Sequence, residues 1–350
     1  VCSGVLLTTL VGAQPDVTLL VAGDVTLGAH YQEYVDQQIQ KGLSADEAVN
    51  RGFEKVRKLT READVFLVNL ECPFTERGEM LYKNFTFRAR PSLVAALTSA
   101  GVDVVSLANN HVMDYGSEGL DDTLATLDDE GIRHFGAGVT LAGAREPAIV
   151  EIRGVRIAFL GYLFLGDQHP EPYEIFATGD QPGAAGHYDD VARLQSMIEE
   201  DIQSAKEHAD HVIPFFHWGR EGQADVLPYQ VALAHAAIEA GASAVLGAHP
   251  HNLQGIEVYN GAPIAYSLGN FVFGGRWDPT DKRTALLELK LNKSEVTSTA
   301  VIPAFTDRFP KEPFQPYLVH GSDATILKTY LAQLSAAFSD TLASLRRGSH

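Results

Sequence analysis

The chain reads as an α/β protein, and two observations carry that reading. Near-continuous apolar runs of strand length recur along the sequence, and segments with helical spacing of apolar residues separate them. A third observation gives the reading a direction: five of the runs end in Asp, Glu, Asn or His. In open α/β sheets, ligands sit outside the carboxyl ends of the strands, so five such ends describe the floor of one metal site.

Taken in order, residues 17–21 form a β-rich run that stops at Gly23-Asp24, and residues 65–68 stop at Asn69-Leu70-Glu71. Residues 102–107 lead to Asn109-Asn110-His111, residues 212–216 to His217-Trp218-Gly219, and residues 244–247 to His249-Pro250-His251. Runs this apolar, without alternation, are expected of strands buried on both faces. Between them, residues 91–100 open with Pro91 and close at Gly101, a helix start and a left-handed stop. Residues 117–130, 189–208 and 228–240 also have helical spacing. After Phe273 a strand is expected at 286–291, then a Pro-rich stretch over 303–316 and a packing helix at 323–345.

The bulk properties exclude some partners. A chain of 350 residues with 45% hydrophobic and 21% charged residues is an ordinary globular composition. Its net charge of −18 argues against nucleic acid or an anionic membrane, which need a basic surface. A small anionic substrate is still allowed, because bound cations dominate the field of a metal site. No apolar run reaches the ~18 residues of a membrane span. Two cysteines, Cys2 and Cys72, make no disulfide framework, and Cys72 reads as a buried thiol. Residues 1–16 resemble the remnant of an export signal, which implies an extracytoplasmic protein, secreted or held in the cell envelope; a short edge strand is the alternative. Residues 347–350 resemble a tag remnant.

The candidate site residues have distinct chemical reasons. Pro250 biases His249 towards extended backbone, in which residues i and i+2 face one side, so His249 and His251 are expected to share a pocket. An isolated His-x-His would be read as surface loop. His217 is followed at one remove by Gly219, which lets the chain turn; a core histidine bonded to a carbonyl is the alternative. Asp24 suits a divalent cation and equally suits a helix N-cap. Glu71 has no helix to cap, since Pro73 follows. Asn110 offers an amide oxygen, His111 a proton, and Asp114 a carboxylate to orient that imidazole and raise its pKa; the alternative is plain turn chemistry.

These motifs carry a resemblance. Gly23-Asp24, Asn69-Leu70-Glu71-Cys72-Pro73, Ala108-Asn109-Asn110-His111-Val112-Met113-Asp114-Tyr115-Gly116, His217-Trp218-Gly219-Arg220-Glu221, Gly247-Ala248-His249-Pro250-His251 and Tyr266-Ser267-Leu268-Gly269-Asn270-Phe271 stand in the order of the CapA family. That is the poly-γ-glutamate capsule synthesis group of the metallophosphatase-like superfamily, and the resemblance covers roughly residues 17–275. It implies a four-layer α/β/β/α sandwich over 17–305, with 306–346 as a C-terminal extension carrying a helix. By position it implies Asp24, Glu71, Asn110, His217, His249 and His251 as ligands of one or two divalent ions (Zn, Mn or Fe). Glu71 would bridge, with Asn69 an alternative for part of that role, and His111 would be the general acid. Where many metallophosphatases have Asp-x-His, this chain has Asp24-Val25-Thr26, which removes one imidazole and bears on the second ion.

Two functions follow. One is a metal-dependent hydrolase of a phosphoester or amide in a capsule or envelope polymer such as poly-γ-glutamate, acting through water activated by the ions. Arg88, Arg220 and Arg276 lie beside the motifs and suit a clamp for an anionic small molecule or polymer; a surface or structural role is the equal alternative for each. The other is a non-hydrolytic component of polymer synthesis or export. His111 and Asp114 favour the first, since a structural site needs no proton donor.

Overall fold

In the computed structural model the described residues are 16–166 and 171–338. The signal-like segment before Asp16 and the tag-like residues 347–350 lie outside them.

Strands are numbered in chain order. The first sheet contains β1 (Val17–Thr26), β2 (Val65–Leu70), β3 (Val104–Ser106) and β4 (Arg133–Phe135). A short ribbon pairs β5 (Ala137–Gly138) with β8 (Gly183–Ala184). The second sheet holds β6 (Ala148–Ile152), β7 (Val155–Phe164), β9 (His211–Trp218), β10 (Val245–Ala248), β11 (Ile256–Tyr259) and β12 (Ala262–Ala265). The first sheet is completed by β13 (Asn270–Phe273), β14 (Arg283–Leu291), β15 (Val296–Phe305) and β16 (Tyr317–Leu318). Its order is β16-β15-β14-β1-β2-β3-β4, with β13 beside β1, and that of the second is β11-β12-β10-β9-β7-β6.

Side-chain alternation makes the layers. Leu19, Val21, Leu67, Val104 and Leu289 face Ile157, Phe159, Ile213, Phe215 and Leu246 across the space between the sheets. The other face of the first sheet, with Leu20, Phe66, Val68 and Val105, packs on helical residues such as Val35, Leu97 and Leu120. The outer face of the second, with Leu160, Tyr162 and Phe216, packs on Leu194, Ile198, Ile202 and Leu233. This is the four-layer α/β/β/α sandwich that the resemblance implies. It also explains why the strands read as unbroken apolar runs: both faces of each are buried.

The helices follow their expected positions with trimmed ends. Pro91–Val94 is a 3₁₀ turn continued by Ala95–Ala100, and Gly101 closes it at φ 78°. The helices Gly116–Asp129, Val191–Ala205 and Pro228–Ala240 fill the other expected segments. Asp190 caps the second of these by accepting from the Arg193 N–H at 3.0 Å. The C-terminal helix is shorter than expected, Gly321–Leu334, and buries Leu327 and Leu331. Ser335 ends it by donating to the Leu331 carbonyl at 2.8 Å while accepting from the Ile256 N–H at 2.9 Å. Within the expected extension, β16 pairs with β15 of the first sheet, and residues 339–346 lie outside the described residues.

Parallel register brings the strand ends together. Asp24 pairs with Asn69 and Asn69 with Ser106 in the first sheet, and Ala248 pairs with His217 in the second. β1 changes partner within its length: residues 17–21 pair with β14 and residues 24–26 with β13, with a bulge between Asp24 and Val25. The change requires close backbone approach at Gly23, where an added Cβ would fall 1.9 Å from the Gly269 carbonyl oxygen. That oxygen accepts the Asp24 N–H at 3.0 Å. Gly23→Ala is expected to destabilise the fold by about 2–4 kcal/mol in denaturant unfolding, as an overpacked backbone contact does. An unchanged midpoint would refute the close approach.

Candidate metal centre

Asp24 is fully buried at the bulge of β1. Its Oδ1 accepts from Asn69 Nδ2 at 2.8 Å, and His251 Nδ1 stands 3.2 Å from its Oδ2. Asn69 therefore turns its NH₂ towards Asp24 and His217, while its own oxygen accepts from Asn109 at 3.2 Å. Asn69 thus stands among Asp24, Asn109 and His217 on the floor of the site. The Thr26 hydroxyl donates to the Glu71 backbone carbonyl at 3.3 Å, so this threonine supports the next motif. Cys72 points away from the site, accepting from the Leu27 N–H at 3.3 Å, and burial pushes its thiol up to about 12.

Glu71 is the centre of the arrangement. It is fully buried, and neither carboxylate oxygen has a hydrogen-bond partner among the described residues. The nearest imidazoles are His217 Nε2 at 3.5 Å and His251 Nε2 at 3.9 Å from Oε1. Burial, then the Asp24 charge, hold its carboxyl well above the usual range. Buried polar atoms are almost always partnered, and an unpartnered carboxylate is among the least favourable groups to bury. Two ligand clusters share it: Glu71 with His217 and His249, and Asp24 with Glu71 and His251.

The first cluster has the spacing of a coordination shell. His217 Nε2 lies 2.9 Å from both Asn110 Oδ1 and His249 Nδ1. One ring proton cannot serve two partners and a carboxylate at once, whereas ligands ~2.1 Å from a common ion stand about 3 Å apart. Burial first, then the neighbouring histidines, keep His217 well below its ordinary pKa, the neutral state a ligand needs. His251 differs: burial opposes its charge, but Glu71 and Asp24 raise it to about 10. By contrast His211 is an ordinary core histidine, with Ser243 Oγ at 2.9 Å and the Asn292 carbonyl at 2.7 Å on its two nitrogens. The donor set of carboxylate, amide and imidazole without thiolate fits Zn, Mn or Fe.

The backbone of His249-Pro250-His251 corrects one expectation. Both histidines have positive φ, 96° and 57°, so the segment is bent and the extended i, i+2 argument does not apply. Tertiary contacts override the bias from Pro250: the Pro250 carbonyl accepts from Gly222 N–H at 2.9 Å, and the His249 N–H faces Asp24 Oδ2 at 3.4 Å. Such conformations cost of order 1–3 kcal/mol each and cluster at functional sites. The shared pocket is nevertheless formed, one imidazole in each cluster. Asn270 orients the second ring, its Oδ1 lying 2.9 Å from His251 Nδ1.

His111 and Asp114 are brought together as expected. His111 Nδ1 lies 2.7 Å from Asp114 Oδ2, and its ring packs on Phe87 at 4.2 Å between centroids. The expected rise in pKa is corrected: burial lowers it more than Asp114 raises it, and the net shift is downwards. The neutral ring donates Nδ1–H to Asp114 and leaves Nε2 to act as proton acceptor and then donor. Asp114 also accepts from the Phe87 N–H at 2.6 Å and lies 3.0 Å from Lys83 Nζ. Lys83 and Glu171 are site residues that the sequence reading missed. Both sit in irregular segments, where no periodicity singles them out.

Two cavities open on the centre. One of about 430 Å³ is lined by Lys83, Glu171, Arg220, Tyr229 and His249. Another of about 270 Å³ is lined by Phe87, His111, His251, Asn270 and Arg276. Phe85 and Glu221 border both. Arg220 thus lines one cavity and Arg276 the other. Arg88 lines neither cavity; its guanidinium stacks 4.4 Å over the Tyr115 ring, so the structure does not bring it to the site.

Comparisons with known proteins bear on the family of the chain. The family model for the bacterial capsule synthesis protein PGA_cap matches residues 18–275. A capsule biosynthesis protein CapA of Bacillus anthracis is 32% identical over 292 residues, covering 82% of this chain and 66% of that protein. A PGA biosynthesis protein CapA of Bacillus subtilis is 33% identical over 284 residues, covering 80% and 69%. The chain thus spans about two thirds of the length of these relatives. A solved structure described as a novel phosphatase of Mycoplasma pneumoniae aligns with a TM-score of 0.47 at 14% identity, covering 82% of this chain and 93% of that one. With a matching family model over most of its length and these two relatives, the chain belongs to the bacterial capsule synthesis protein PGA_cap family.

Proposed function

We propose that this protein is a divalent-metal-dependent hydrolase of the capsule synthesis family, acting on a phosphoester or amide bond in an envelope or capsule polymer such as poly-γ-glutamate. The observation that carries the reading is Glu71, a buried carboxylate with no hydrogen-bond partner among the described residues, shared by two ligand clusters. Asp24, Glu71 and His251 would hold one ion, and Glu71, His217, His249 and the Asn110 oxygen the other. Two ions are compatible with Thr26, since two three-residue clusters sharing Glu71 are present without it. When bound, the ions supply Lewis acidity and lower the pKa of water.

The remaining steps belong to the chain's own residues. Arg220 and Arg276 bind anionic groups in the two cavities, offsetting the acidity of the protein locally. Leu165, Leu227 and Phe85 give the larger cavity its apolar lining. His111, fixed by Asp114, takes up a proton at Nε2 and passes it to the leaving group. This reading sets the protein outside the cytoplasm, where envelope polymers are found. The names of the relatives refer to biosynthesis, which favours the second reading, a non-hydrolytic role in polymer assembly or export.

Three outcomes separate the readings. Chelator treatment is expected to abolish hydrolysis of a generic phosphodiester and added Mn²⁺ or Zn²⁺ to restore it; activity indifferent to chelator would exclude metal chemistry. His111→Ala should keep the metal content of the parent yet lose about 10²–10⁴-fold in kcat. A metal-loaded, folded variant with full turnover would remove His111 from the mechanism, and a parent that binds metal without turnover would favour the assembly role. Glu71→Gln should lose metal from both positions, measured by elemental analysis. The same change should raise the stability of the chelator-stripped fold by about 1–3 kcal/mol, because it removes a carboxyl whose ionisation burial and Asp24 both oppose. A stripped variant less stable than the stripped parent would contradict the unpartnered state of Glu71.

A further inference from the structure

Asn110 can serve an ion only if its amide oxygen, and not its nitrogen, faces His217. The two ends of an amide have nearly the same shape, so something must fix which is which. Here the fixing contact is on the far side: Asn110 Nδ2 donates to Glu171 Oε1 at 2.9 Å. A carboxylate only accepts, so it must meet the NH₂ end, and Asn110 Oδ1 is thereby turned to within 2.9 Å of His217 Nε2. Glu171 is held in turn by Lys83, whose Nζ lies 2.9 Å from Glu171 Oε2 and 3.0 Å from Asp114 Oδ1. The same ammonium donates to the Asn110 backbone carbonyl at 2.6 Å. Its side chain is only 2% exposed, so one buried cation serves the carboxylate that orients His111 and the carboxylate that orients Asn110.

We propose that Glu171, held by Lys83, is a positioning residue that aims the Asn110 amide oxygen at the ion bound by Glu71, His217 and His249. The inference rests on the two-ion reading of the site and concerns one ion only. Glu171 is not itself a ligand, because its oxygens are engaged by the Asn110 amide and the Lys83 ammonium. Metal sites depend on such outer contacts, whose loss costs about 10–100-fold in affinity.

Glu171→Gln makes the test sharp, because it preserves size but reverses polarity. The new side chain would turn its oxygen to Lys83 and its NH₂ to Asn110, which then must rotate its own oxygen away from the ion. Chelator-stripped protein is titrated calorimetrically with Mn²⁺, with near-ultraviolet circular dichroism and thermal unfolding as controls of fold. The parent should show two binding events. Glu171→Gln and Glu171→Ala should each weaken one event by about 10–100-fold and leave the other within about twofold. Adding Asn110→Asp to Glu171→Gln should restore the weakened event, because a carboxylate presents oxygen in either orientation. Parent-like binding by Glu171→Gln, equal weakening of both events, or failure of the double variant to recover would overturn the proposal. A parent that binds no manganese would overturn the two-ion reading instead.

Discussion

Everything at the centre of this molecule depends on one carboxylate buried without a hydrogen-bond partner. Glu71 lies between Asp24 and His251 on one side and His217 and His249 on the other. In a metal-free fold this placement is unfavourable: burial and Asp24 both disfavour its charge. An arrangement that opposes folding but suits a pair of cations is what a preformed metal site requires, and it agrees with the positive φ of both neighbouring histidines. Stability elsewhere offsets this strain, through three apolar cores that bury both faces of both sheets.

The sandwich positions that carboxylate by register. Parallel pairing sets Asp24 level with Asn69 in one sheet and Ala248 level with His217 in the other. The sheets pack face to face through Leu19, Leu67, Ile213 and Leu246, so their carboxyl ends meet at one edge. The bulge after Asp24 and the change of partner from β14 to β13 open the first sheet there and let Gly269 and Asn270 approach. Asparagines complete the frame: Asn69 serves Asp24, Asn109 serves Asn69, and Asn270 serves His251.

Much of this was legible in the sequence, for a physical reason. Strands buried on both faces must be apolar throughout, so the first Asp, Glu, Asn or His after each run stands out. Asp24, His217 and His249 are each the first such residue after their run, while Asn69 and Asn109 precede Glu71 and Asn110 after theirs. The illegible part lies where no periodicity operates. Lys83 and Glu171 come from irregular segments, and the Asn110–Glu171 contact spans 61 residues. His251 shares a pocket with His249, although the bend at φ 57° departs from the extended backbone on which that expectation rests. The direction of the His111 shift was missed because Asp114 is adjacent in sequence while the burial that outweighs it comes from the whole fold.

The most direct test is a crystal of the protein prepared with Mn²⁺, examined by anomalous scattering at the manganese edge. The account predicts two peaks on either side of the Glu71 carboxylate, one within bonding distance of Asp24 and His251 and the other of His217 and His249. A single peak remote from Glu71, or none in protein that is folded and saturated with manganese, would contradict it.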